Sequence, residues 1–268
     1  MIHTLVVGFA FHRCRRAYDL ASAKMVSNNQ KLSFIRDHYI DEVVGKEIFP
    51  QVTSIPYADN PLAVVSDYFL RKSTKTLDAM CVLCETGFAE DALILGRTIF
   101  EMAVHLRTIA TPDSIEERRL RAQCFIYDGD RQRVEKLKEL TKLKEQGKCL
   151  SWIADIESHN PVFETIAVPK NFVPLKNFKT MATDLGGEWE CWYHFLYWSV
   201  SKLTHPSGLG SHTYMQEVDE DAEIFRSIAL ALTMHYFLTD TVLSLLDLNT
   251  LRTRLEAVMQ NVLTHVQS

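Results

Sequence analysis

Arg97, Glu101 and His105 recur at every fourth position of one stretch, and Tyr197, Ser201 and His205 do the same much later in the chain. On an α-helix such residues stack along a single stripe. A carboxylate four residues from an arginine can hold the guanidinium in place for a phosphate or carboxylate ligand, which its planar fork suits better than a lysine does. An imidazole nearby can move protons, given a partner within hydrogen-bond reach. Glu101 and His205 are therefore the candidates for catalysis, and Arg97, Ser201, Tyr197 and His105 the candidates for ligand binding. Both stripes are interleaved with apolar residues, such as Ile99, Phe100, Met102, Trp198, Val200 and Leu203. Part of each is thus expected inside a helical bundle, where polar groups need partners, and the two stripes can satisfy each other.

The elements that must carry these residues follow from the breaks in the chain. Its eight prolines fall around Pro50 to Pro61, at Pro112, from Pro161 to Pro174 and at Pro206. Between them the apolar pattern has a helical period, so the expected fold is all-α, a single-domain antiparallel bundle of about six to eight helices. One helix is predicted at 30–48, ending before Pro50. Asn60 and Pro61 open a helix to about 86, and Gly87 turns the chain into the next, 89–110, which carries the Arg97 stripe. Ser114 and Glu117 have the spacing of a capping box and start a helix to about 148. Residues 150–187 read as an irregular insertion with a long connection. The aromatic segment 189–203 restores order, and helices at 220–246 and 249–266 complete the bundle. Residues 1–60 read as an N-terminal helical extension packed on the bundle of residues 61–268.

Composition bounds the function classes. A chain of 268 residues that is 47% hydrophobic and 24% charged has the make-up of a globular protein, and its formal net charge of −5 gives no global attraction to nucleic acid or anionic membrane. The exception is a local excess of positive charge over residues 131–148, where seven Lys/Arg face three Glu. It is either a nucleic-acid contact or a solvated helix face with i, i+4 pairs. The six cysteines are scattered and no secretory signal precedes them, which predicts free thiols and a cytoplasmic address. No run approaches about 18 uninterrupted apolar residues, so no membrane span is expected.

The segment from Gly87 to Glu101, with its Arg97-Thr98-x-x-Glu101 core, resembles a widespread family of uncharacterised, mainly bacterial helical proteins that share an Arg-Ser/Thr-x-x-Glu signature. The segment Tyr197-x-x-x-Ser201-x-x-x-His205-x-Ser207 is similar to that family's second signature, in the same order. The resemblance covers about residues 65 to 245. It implies an α-helical bundle with Arg97, Glu101, Ser201 and His205 at the signature positions, and it brings no known activity. A looser similarity is to the HEPN superfamily of prokaryotic helical bundles, whose active members cleave RNA with an Arg-x(4–6)-His motif. Seven residues separate Arg97 from His105 and eight separate Arg226 from His235, so neither pair has that spacing.

Other chemistries fit less well. Cys81-Val-Leu-Cys84 has the spacing of half a zinc site, but no second Cys/His pair at matching spacing follows, and no Glu-x-x-His pairs suggest a di-iron centre. No metal or cofactor is therefore expected. Ser201 lacks a nucleophile-elbow sequence. Two readings of the function stay open. In one, the Arg97, Glu101, Ser201 and His205 cluster recognises a phosphate-bearing ligand, nucleotide or RNA, with RNA cleavage in prokaryotic stress or phage defence as its furthest extension. In the other, the protein is a non-enzymatic homodimeric scaffold, the cluster is structural, and the aromatic helix makes the dimer contact.

Overall fold

The computed structural model describes residues 28–147, 176–197, 200 and 220–267, and among these the regular structure is all helical. Helices α1 (Asn28–Phe34) and α2 (Phe49–Ser54) flank a π-helical segment (Ile35–Ile48). The long helices α3 (Pro61–Glu85), α4 (Ala89–Ala110) and α5 (Ile115–Glu145) follow. Short helices α6 (Phe178–Leu185) and α7 (Gly187–Trp192) lead into a π-helical turn (Tyr193–Tyr197), and α8 (Glu220–Leu245) and α9 (Asn249–Gln267) complete the described chain.

Capping chemistry sets the boundaries. The Asn60 side chain accepts from the Ala63 N–H at 3.3 Å, and Pro61 takes the first position of α3. Gly87, at φ 85°, closes α3: the Phe88 N–H reaches Leu83 O at 2.8 Å and the Gly87 N–H reaches Cys84 O. Asp247, at φ 56°, closes α8 in the same way, with the Leu248 N–H on Leu243 O at 2.8 Å. At α5 half of the expected capping box forms. Ser114 Oγ accepts from the Glu117 N–H, while the Glu117 carboxylate turns to Arg121.

Two stretches differ from the sequence expectation. The chain stays helical through Pro50, because the Phe49 N–H bonds to Val44 O in the wider π register and the carbonyl that a proline ring strikes in an α-helix is displaced. Buried residues in the π segment, Ile35, Tyr39/Ile40, Val43/Val44 and Ile48, recur at a mean spacing of about 4.3 residues, close to the roughly 4.4 of a π turn. Residues 178–185, inside the expected irregular insertion, form α6. Its start is capped by Asn177, whose Oδ1 accepts from the Thr180 N–H at 2.9 Å, and Met181 and Ala182 are buried on one face. Residues 150–175 of that insertion lie outside the described residues.

Helix α4 is the central strut, packed most extensively against α8 and α3 and also touching α6. Gly96 allows this closeness: a Cβ there would stand 3.2 Å from Met80 Cε and 4.0 Å from Ala231 Cβ. Helix α8 is apolar enough over Ser227–Leu245 to cross a membrane by length and composition, but 78% of that window is buried in this fold. Inside it sits His235, fully buried. Its Nε2 lies 3.0 Å from Thr74 Oγ1 of α3 and its Nδ1 3.0 Å from the Tyr39 hydroxyl of the π segment, with Thr239 Oγ1 at 3.3 Å from Nδ1. The Thr74 hydroxyl donates to Leu70 O at 2.7 Å, so its oxygen accepts from Nε2–H and Nδ1 is left to accept from Tyr39.

Burial pushes the His235 pKa down to about 3. The unfolded chain takes up a proton near pH 6.5, about the ordinary value for His, whereas the folded chain stays neutral to much lower pH. Stability contributed by this group is thus complete above about pH 6.5 and declines as pH falls toward about 3. Denaturant unfolding should show about 2 kcal/mol of this loss between about pH 7 and pH 5. His235→Gln should remove it, flattening the pH profile relative to the parent; parallel profiles would refute the assignment.

Candidate functional site

Arg97 and Glu101 emerge where α4 leaves the core. Gly96 and Phe100 face inward, so the neighbouring turn positions 97 and 101 fall on the flank. Arg97 Nε donates to Glu101 Oε1 at 2.9 Å, and the two side chains are 20% and 35% exposed. The expected i, i+4 pair is thus formed, and it reaches solvent instead of being sealed in the core. A carboxylate on Nε fixes the rotation of the guanidinium plane, which is how Glu101 serves as a positioning group.

His105, one turn further on, packs against aromatic rings of two neighbouring helices. Its ring stands 5.7 Å from Phe125 of α5 and 6.3 Å from Phe178 of α6, and burial lowers its pKa. Its nitrogens make no hydrogen bond among the described residues, and burial between aromatic faces favours its neutral form. Tyr197 ends the π-helical turn after α7. Ser201 and His205 lie outside the described residues.

The aromatic segment is partly core. Trp189 stacks on Phe100 of α4 at 6.3 Å and meets Phe237 of α8 at 6.0 Å, while Phe195 is exposed. Along α5, Arg131 pairs with the buried Asp128 at 2.8 Å and with Glu135 at 2.8 Å, and Lys136 pairs with Glu139 at 2.7 Å. Interleaved pairs of this sort belong to a solvated helix face. Cys81 and Cys84 are buried free thiols, and burial pushes both pKa values up to about 12. No group of three or more His, Cys, Asp or Glu able to hold a metal occurs among the described residues.

A family model for a family of unknown function, DUF5677, matches residues 64–223. This protein belongs to the DUF5677 family. The matched span holds all of α4 with Arg97 and Glu101, most of α3, and the later segment from Tyr197 to Ser207. It ends short of the expected boundary near 245, so the body of α8, with His235, falls outside the DUF5677 match, as do the π segment with Tyr39 and the whole of α9. No curated protein and no solved structure matches the chain.

Sequence reasoning passed over one feature of the DUF5677 region. Residues of α3 at helical spacing, among them Tyr68, Lys72 and Lys75, line a groove of about 660 Å³ with Tyr57 and Leu95. Each is an ordinary surface residue in isolation. The available signal was a stripe mixing aromatic and cationic residues at 68, 72 and 75 with no carboxylate among them.

A half-exposed intrahelical pair is worth little to stability. Arg97→Ala should cost less than about 1 kcal/mol in urea unfolding, and a double-mutant cycle with Glu101→Gln should give a coupling of about 0.3–0.5 kcal/mol. A coupling above about 2 kcal/mol would mean that the pair holds the bundle together.

Proposed function

We propose that this protein recognises a phosphate-bearing ligand, RNA or a nucleotide, through Arg97. The observation that carries the reading is the geometry of the pair: a guanidinium oriented through Nε by a carboxylate at 2.9 Å, on the flank of the central helix α4, with both groups partly open to solvent. A scaffold network would gain most from sealing such a pair away from water, whereas ligand recognition needs the head group reachable.

Glu101 in this reading is a positioning residue that limits the arginine's freedom before the ligand arrives, reducing the ordering cost of binding. Ser201 and His205 are proposed to complete the same face, on the strength of their place in the second signature segment. RNA cleavage would further require His205 within hydrogen-bond reach of a ligand hydroxyl or of Glu101.

A labelled short single-stranded RNA, titrated with the full chain at low and moderate salt, tests the recognition step. Arg97→Ala should weaken binding at least about ten-fold, the equivalent of one charge-assisted phosphate contact. Glu101→Gln should weaken it less, and Arg97→Lys should restore only part of the loss. Equal affinity for the parent and Arg97→Ala, with unchanged melting temperature, would refute the reading.

A further inference from the structure

We propose that the groove along α3 is a second ligand site, one that takes a nucleoside phosphate: a flat ring bearing an anionic tail. The groove is independent of Arg97. Leu95 lines it from α4, and two residues along an α-helix turn about 200°, which puts Arg97 on the far side of that helix.

Its make-up differs from an ordinary solvated face in three respects. First, it is a shallow depression, open to solvent on one side, with a volume of about 660 Å³, room for a small molecule lying along the helix. Second, its walls carry two tyrosine rings, Tyr57 from the loop before α3 and Tyr68 from its second turn, each 46% exposed. Rings left this open beside a depression offer stacking surface for a base.

Third, its charge is uncompensated. Asp67 is the one carboxylate in the lining among the described residues, and Arg71 Nε occupies both its oxygens, at 2.8 and 2.7 Å. Partial burial and the neighbouring Asp67 raise the pKa of the Tyr57 hydroxyl beside this pair. Lys72 sits over the Tyr68 ring at 5.8 Å and donates to its hydroxyl at 3.4 Å. Lys75, exposed one turn on, has no ion-pair partner among the described residues. Two ammonium groups beside an aromatic wall thus remain unneutralised, in a protein whose formal net charge is −5.

The two features select the ligand between them. A simple anion would leave the rings unused, and an uncharged ring would leave the ammonium groups unused. Two uncompensated cations match a short phosphate chain, whereas a nucleic-acid backbone is normally tracked by a longer row of charges. The described elements thus place ring and phosphate subsites next to one another, with Tyr68 stacking on the base and Lys72 and Lys75 meeting the phosphates.

Calorimetric titration of the full chain with ATP tests this, with adenosine and inorganic tripolyphosphate as separate arms. Saturable binding of ATP is expected, with each half-ligand at least about ten-fold weaker. The Lys72→Gln/Lys75→Gln variant should lose at least about ten-fold in ATP affinity, Lys75→Gln alone should lose part of it, and Tyr68→Leu should weaken ATP and adenosine but not tripolyphosphate. The Lys72→Gln/Lys75→Gln variant should keep the Arg97-dependent binding of short RNA while losing ATP affinity, so failure here is distinguishable from failure of the Arg97 reading. No saturation below about 1 mM ATP, or ATP affinity indifferent to both lysines, would overturn the proposal. So would short RNA binding that depends on Lys72 and Lys75 while ATP does not bind.

Discussion

The described fold turns on an imidazole that has to stay neutral. His235 sits in the helix most completely enclosed by the bundle, and a charge there would meet no counter-ion among the described residues. Its two nitrogens are satisfied by hydroxyls from two other elements, Thr74 of α3 and Tyr39 of the π segment. A hydrophobic interface alone fixes how much surface is buried and leaves sliding and rotation comparatively cheap. Directed hydrogen bonds on both sides of one ring remove that freedom, since a shift of either neighbour would orphan a buried donor or acceptor.

With α8 and α3 held in this way, α4 is positioned by exclusion. It has to lie where Gly96 can approach Met80 and Ala231, and that contact fixes its rotation about its own axis. The consequence is a strut with two working flanks. One carries the Arg97–Glu101 pair toward solvent, and the other supplies Leu95 to the groove along α3. Clasps at the periphery, Arg36 with Asp78 at 2.9 Å, Arg252 with Asp240 at 2.7 Å and Arg254 with Glu47 at 3.2 Å, bind outer helices to this frame. Exposed pairs like these add little energy and mainly set register.

Much of the helical framework was legible because its stops are local. Asn60, Pro61, Gly87 and Pro112 each act within a turn of themselves, and α3 and α4 begin and end where those residues place them. The Arg97–Glu101 pair was legible for the same reason, since i, i+4 geometry needs no tertiary knowledge. Helix α6 was missed because its eight residues, between a proline-rich stretch and Gly186, give too short a window for periodicity. The π segment was missed because its apolar residues also fit an α-helical stripe, and only the backbone register separates the two. His235 was read as one half of a misfitting Arg–His spacing, since nothing near it in sequence announces Tyr39 or Thr74. The groove was invisible for a related reason: concavity is a property of how α3, α4 and the Tyr57 loop meet, and no one of them encodes it.

The bond between Tyr39 and His235 joins residues 196 positions apart. At a synthesis rate of about 5–20 residues per second, Tyr39 leaves the ribosome roughly 10–40 s before the imidazole that its hydroxyl will meet. For that interval the π segment, with Ile35, Val43, Val44 and Ile48 on its apolar face, has no α8 to close over it. The fold is therefore completed from its last third, and a chain cut short before α8 would lack the very group that locks its beginning in place.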